Sequence, residues 1–162
     1  MVTILLQAQQ NTDIRQFLDA IRDKNHYSAI VKARRLDSAS YTDEYGRSLI
    51  MYAAERGYTR ACKILINKGA DPHLKALEGI TAIMFASYGG YENTVRLLLK
   101  HGVDPDVQAA DGFTSLMVAA QNGHLGVVRL LLNRGAHPDL RAVDGFTALM
   151  VAAQNGHSEI VR

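Results

Sequence analysis

The sequence predicts an all-α solenoid, a row of stacked helix-turn-helix units joined by β-hairpin-like loops. Three observations predict it. Glycines recur every 33 residues in three series: Gly46, Gly79, Gly112 and Gly145; Gly57, Gly90, Gly123 and Gly156; and Gly69, Gly102 and Gly135. The only prolines, Pro72, Pro105 and Pro138, keep the same period. Between the first two glycine series one segment returns four times, as "GRSLIMYAAERG", "GITAIMFASYGG", "GFTSLMVAAQNG" and "GFTALMVAAQNG". Self-similarity at a fixed period of this length marks an array in which each unit covers its neighbour.

Each element of the unit has a local reason. The first glycine turns the chain, and Ser48, Thr81, Thr114 or Thr147 follows, with a hydroxyl suited to cap a helix start. A short helix comes next, small along one side: Ala53 and Ala54, Ala86 and Ser87, Ala119 and Ala120, Ala152 and Ala153. Small side chains let helices approach closely. A second run, "TRACKILINKG", "ENTVRLLLKHG" or "LGVVRLLLNRG", spaces apolar residues as a helix does, Val95, Leu98 and Leu99 for example. Gly69, Gly102 and Gly135 then stand where a left-handed cap is wanted.

Ahead of the array, "DIRQFLDAIRDK" places Ile14, Phe17, Leu18 and Ile21 on one helical face, and "HYSAIVKARRL" offers Tyr27, Ile30 and Val31 as a second. Residues 1–42 are therefore expected to form a degenerate capping repeat, with Arg22, Lys24, Lys32, Arg34 and Arg35 on its wet side. Four repeats follow, at 43–75, 76–108, 109–141 and 142–162, the last of them cut short within "SEIVR". Its open face is expected to be covered by further sequence or by a partner, a second copy included.

The 33-residue unit resembles the ankyrin repeat, on the strength of "TSLMVAAQNGH", "TALMVAAQNGH" and "GADP". Two departures stand out. The Pro of the family's Thr-Pro-Leu-His signature is replaced by Leu49, Ala82, Ser115 and Ala148, and its His by Met51, Met84, Met117 and Met150. The resemblance gives that His a part in bonding neighbouring repeats, so contacts between repeats are expected to be apolar here.

The totals fit a non-enzymatic module. The 162 residues suit one domain, and 48% hydrophobic with 21% charged residues suits an ordered chain. A formal charge of +2 disfavours nucleic acid and anionic membrane as partners. No run reaches the roughly 18 apolar residues of a span, and Val2 to Leu6 is too short for a secretory core. The one cysteine, Cys62, points to a reducing, intracellular setting and reads as a core residue, since it shares the slot of Val95 and Val128. Export to a host cell by other signals stays open. His124 and His157 alternate with Tyr58 and Tyr91 in one slot, so they read as structural rather than as ligands. His26, His73, His101 and His137 have no zinc spacing, and no phosphate loop or nucleophile elbow appears. No metal, cofactor or catalytic residue is assigned.

Stacked repeats present a long face rather than a cleft, and such faces bind proteins or peptides. The resemblance places the contacts at the hairpin tips and at the exposed ends of the first helices. The candidate partner-binding residues are thus Glu44, Tyr45, Arg47, Glu55 and Arg56 in the first repeat, and Leu77, Glu78, Ile80 and Tyr88 in the second. Asp111, Phe113, Gln121 and Asn122 follow in the third, then Asp144, Phe146, Gln154 and Asn155 in the fourth. Tyr45, Ile80, Phe113 and Phe146 are read as an apolar ridge rimmed by acid, fitting a partner with apolar anchors among Lys or Arg; packing of Phe113 and Phe146 on their neighbours is the competing reading. The first two repeats vary most and are expected to carry specificity. The alternatives are a recognition arm of an enzyme or bacterial effector whose catalytic domain follows residue 162, and a self-associating structural chain.

Overall fold

The computed structural model describes the backbone of Val2–Arg162 and the side chains from Asn11 onward. The helices are α1 (Val2–Arg22), α2 (His26–Arg35), α3 (Leu49–Glu55), α4 (Thr59–Asn67), α5 (Ala82–Tyr88), α6 (Glu92–Lys100), α7 (Ser115–Gln121), α8 (Leu125–Leu132), α9 (Ala148–Gln154) and α10 (Ser158–Val161), with a 3-10 turn at Leu77–Gly79. They form two rows. The shorter inner helices pack in the order α3, α5, α7, α9, and the outer helices in the order α2, α4, α6, α8, α10. Among the described residues the only strand-like pairing is at two hairpin necks, Thr42 with Ser48 and Lys75 with Thr81.

Inner helices start where a hydroxyl satisfies a free N–H. Ser48, Thr114 and Thr147 accept from the backbone N–H of Met51, Met117 and Met150. Thr81 departs from the expectation. Its φ is −121° against −83° to −100° at the other three starts, so its hydroxyl misses the helix and lies buried without a partner. The outer helices end as expected: the N–H of Ala70, Val103 and Ala136 returns to the carbonyl of Leu65, Leu98 and Leu131, closing a left-handed glycine cap.

Each unit buries one layer. Leu49, Ile50 and Met51, then Ile83 and Met84, then Leu116 and Met117 are shut in between successive inner helices, with Leu65, Leu98 and Leu131 behind them. At about 1.5 to 3 kcal/mol for each large side chain, stacking is the dominant source of stability. Cys62 belongs to this core; burial pushes its thiol up to about 12.

The expectation of purely apolar contacts between repeats is corrected. Methionine does replace the family's His, and the Met51 sulfur accepts from the N–H of Ser48, its own repeat's cap. Bonding across repeats passes to other groups. The N–H of Leu77, Ala110 and Val143 donates to the carbonyl of Tyr45, Glu78 and Asp111 one repeat earlier, at 2.9, 2.7 and 2.9 Å. Nε2 of His124 and His157 lies 2.8 and 2.9 Å from the carbonyl oxygens of Tyr88 and Gln121. The His157 ring occupies the space over Gly123, where a Cβ would come within 2.7 Å of it. Thr59 and Thr94 join hydroxyls at 2.8 Å.

The two ends differ. Ile14, Phe17 and Ile21 of α1 are buried with Leu18 packed against them, and Lys68 Nζ donates to the Leu36 carbonyl behind α2. The expected second face needs revising: α2 buries Ala29, Ile30 and Ala33, while Tyr27 is 77% exposed because it falls on the outward side of the turn. Lys32 is not a free wet-side charge either, since its ammonium donates to Gln16 at 2.6 Å. At the other end Leu149 and Met150 are 54% and 47% exposed, where their equivalents Leu116 and Met117 are almost wholly covered. Among the described residues no helix is long and apolar enough to cross a membrane.

Candidate functional site

The four hairpin tips are built differently. In the first, the Asp43 carboxylate takes three donors: the N–H of Tyr45 at 2.9 Å, the N–H of Arg47 at 2.8 Å and the Tyr52 hydroxyl at 2.5 Å. Burial acts to raise Asp43, but these bonds and the nearby Arg47 charge outweigh it and hold the carboxyl below its ordinary value. Tyr52 is pushed up to about 12, first by burial and then by its bond to Asp43. The Arg47 guanidinium lies over the rings of Tyr52 and Phe85, at 4.2 and 4.6 Å, and its Nη2 is 2.5 Å from Glu55. Arg47 is thereby a staple between repeats one and two, and its charge is matched by Glu55.

The third and fourth tips repeat a simpler device. Asp111 and Asp144 accept from the N–H of Phe113 and Phe146, at 2.9 and 3.1 Å. The second tip carries Glu78 at this position, with a longer side chain and a left-handed backbone at φ +60°. Among the described residues Glu78 makes no side-chain hydrogen bond or ion pair, and it is exposed.

Six candidates come together. Glu55, Ile80, Tyr88, Asp111, Phe113 and Gln121 line one groove of about 520 Å³ that runs from the end of the first inner helix across repeats two and three, with Met84, Phe85, Ala109 and Val118 completing its wall. A smaller notch of about 370 Å³ adjoins it between the second and third tips, bounded by Glu78, Ile80, Ala109, Ala110 and Asp111. The groove's apolar wall follows from the repeat, because Ile80 and Phe113 occupy one slot and Phe85 and Val118 another. Tyr88 stands 63% exposed at its edge, with its carbonyl held by His124.

The other candidates lie apart from this groove. Glu44, Tyr45 and Leu77 are exposed on the first two tips; Asp144, Phe146, Gln154 and Asn155 belong to the fourth repeat. Arg47 is committed to the staple, and Arg56 is half-buried with its Nε unpartnered. Asn122 and Asn155 each turn back to donate to the carbonyl of Val118 and Val151, so their amides close helices. The apolar ridge is corrected. Tyr45 shares the slot of Glu78, and Arg47 that of Ile80, Phe113 and Phe146, so these side chains do not form one row. Ile80, Phe113 and Phe146 are half-buried behind the tips.

Sequence reasoning missed Phe85, hidden as an ordinary helix residue beside the methionines. It also missed His137, whose backbone N–H and Nδ1 both meet the Asp106 carboxylate and whose imidazole is held above its ordinary value by that bond. Among the described residues no group of three or more His, Cys, Asp or Glu is arranged to hold a metal ion.

No curated protein matches this chain. The family model for ankyrin repeats, however, matches in three overlapping copies, at residues 1–109, 50–142 and 83–162. Members of that family are typically non-catalytic modules for protein-protein interaction. The 33-residue period, the two helix rows and the hairpin tips are what such a match describes, and the chain belongs to the ankyrin repeat family.

Proposed function

We propose that this chain is a non-enzymatic module that binds a protein or peptide partner through its hairpin tips and the exposed ends of its inner helices. The observation that carries this reading is the groove across repeats two and three, an open, largely apolar trough edged by exposed Tyr88. Its size suits one or two large side chains of a partner. An exposed aromatic side chain makes a good anchor, because with only two torsions it loses little freedom on binding. The buried, unreactive Cys62 fits a reducing compartment.

The test is a comparative pull-down with wild type and a Tyr88→Ala/Leu77→Ala variant. Both side chains are exposed, so the fold should survive. Partners recovered by wild type should be lost from the variant; equal recovery of all of them would count against the surface. Self-association is a second reading, favoured by exposed Leu149, Met150 and Val161. Sedimentation velocity should then show a dimer that Leu149→Lys dissolves, and a concentration-independent monomer argues against it.

A further inference from the structure

We propose that the occupant of the groove is an extended peptide segment with one large apolar side chain between Tyr88 and Phe113, and a Lys or Arg within two residues of it lying in the notch between Glu78 and Asp111. This rests on the reading above and specifies the partner's chemistry. Groove and notch share Ile80, Ala109 and Asp111, so one ligand entering the first meets the second. In an extended chain, side chains two residues apart lie about 7 Å apart on one face, a reach suited to adjoining hollows.

Charge decides what fills the notch. Glu55, which lines the groove but not the notch, is neutralised by Arg47 at 2.5 Å. Glu78 has no internal partner, and Asp111 spends one oxygen on the Phe113 N–H, leaving the other free. Among the described residues no cationic side chain lines either hollow. The notch, and the groove edge that shares Asp111 with it, is therefore negative, while Glu55 is balanced by Arg47. Its remaining walls, Ile80, Ala109 and Ala110, are apolar. A long aliphatic stem carrying a terminal cation fits that combination, with the stem along Ile80 and Ala109 and the head between the two carboxylates. An acidic or purely apolar side chain would leave two carboxylates facing it uncompensated.

The strained second tip is consistent with this role. A glycine or asparagine would adopt the left-handed backbone at Glu78 with less strain, yet neither would bring a carboxylate there.

The test is to pan a phage-displayed library of random twelve-residue peptides against the whole chain and measure enriched peptides by fluorescence anisotropy. The enriched set should pair a large apolar residue with Lys or Arg within two positions. Glu78→Gln combined with Asp111→Asn removes both charges while the Asn oxygen still serves the Phe113 N–H; it should weaken those peptides about three- to tenfold and flatten their salt dependence. Tyr88→Ala should weaken them about tenfold. Enriched peptides that need Tyr88 but carry no basic residue, or ignore the double variant, overturn this inference and leave the groove reading standing. A library yielding no peptide dependent on Tyr88 overturns both.

Discussion

Repeats three and four are nearly the same sequence in two environments. "DGFTSLMVAAQNGH" and "DGFTALMVAAQNGH" differ at one residue, yet Leu116 and Met117 are buried while Leu149 and Met150 are about half exposed. Asp111 lends its carbonyl to the N–H of Val143, and the Gln121 carbonyl meets His157; the carbonyls of Asp144 and Gln154 receive nothing equivalent. In a solenoid, burial is thus a property of the interface and not of the unit. The same leucine is a core residue or a surface residue according to what stands next to it.

The strongest way to break that comparison is to truncate both leucines. Leu116→Ala should cost about 2 to 5 kcal/mol, the range for a buried leucine leaving a cavity, whereas Leu149→Ala should cost about 1 kcal/mol or less. Urea unfolding of the two variants measures this, and equal losses would mean that Leu149 is covered in solution. A smaller contrast comes from the tip glycines. Gly112 and Gly145 both have left-handed φ, +82° and +85°, so alanine costs about 1 to 2 kcal/mol at either. At Gly112 the new Cβ would also lie 2.7 Å from the Val143 N and 2.8 Å from the Ala142 Cα, backbone atoms that cannot turn aside, while at Gly145 it meets nothing. Gly112→Ala should therefore be the more destabilising of the pair by thermal melt.

The sequence was most informative where the period was strict. Apart from the Thr81 cap, helix starts, glycine caps and the core faces of the repeat helices could be read directly, because backbone geometry and burial repeat with the unit; the α2 face, outside the strict period, could not. What could not be read was which groups act across units. The Arg47 staple needs Phe85 from the next repeat, and nothing within "GRSLIMYAAERG" announces it. Nor did letters at the tips reveal that Arg47 and Glu55 cancel while Glu78 and Asp111 together line one notch. Neighbouring slots were also easily confused: Tyr45 looked equivalent to Ile80 until the strict 33-residue register set it beside Glu78.

The first repeat also carries a phenol where the third carries an aliphatic side chain. Tyr52 occupies the slot of Val118. Its pKa in the fold, about 12, lies above the ordinary 10.0, so the protonated phenol is what the fold stabilises. That contribution is complete below pH 10 and should fade as pH rises from 10 to 12. Cys62 and Tyr58, both raised by burial, act in the same direction. Tyr52→Phe should accordingly reduce the alkaline loss without abolishing it, as followed by urea midpoints at pH 9 and pH 11.5. Asp43 works with the opposite sign: its contribution is present above 3.8 and is lost as pH falls below that value, and Asp43→Asn should weaken this acid dependence.

The smallest predicted effect concerns the connecting loops. In the first two, a side-chain oxygen of Asp71 or Asp104 accepts from the N–H two residues later, at His73 or Asp106, so each loop closes on itself. The third reaches back instead, with His137 donating its backbone N–H to Asp106 of the preceding loop and its ring meeting the same carboxylate. The bond to Asp106, and then its charge, raises the His137 pKa above 6.5. A raised histidine stabilises the fold fully below its unfolded value and loses that contribution as pH climbs through its folded one. Because the ring is fully exposed, water and salt screen the pair, and the gain should be slight and vanish at high ionic strength. An NMR titration of the imidazole should show its midpoint falling towards the ordinary value in Asp106→Asn, with the Asp104 charge still acting to raise it. An unmoved midpoint would mean that the His137 ring does not meet Asp106 in solution, since a histidine in the slot of Asp71 and Asp104 has no side-chain oxygen with which to close the loop on itself.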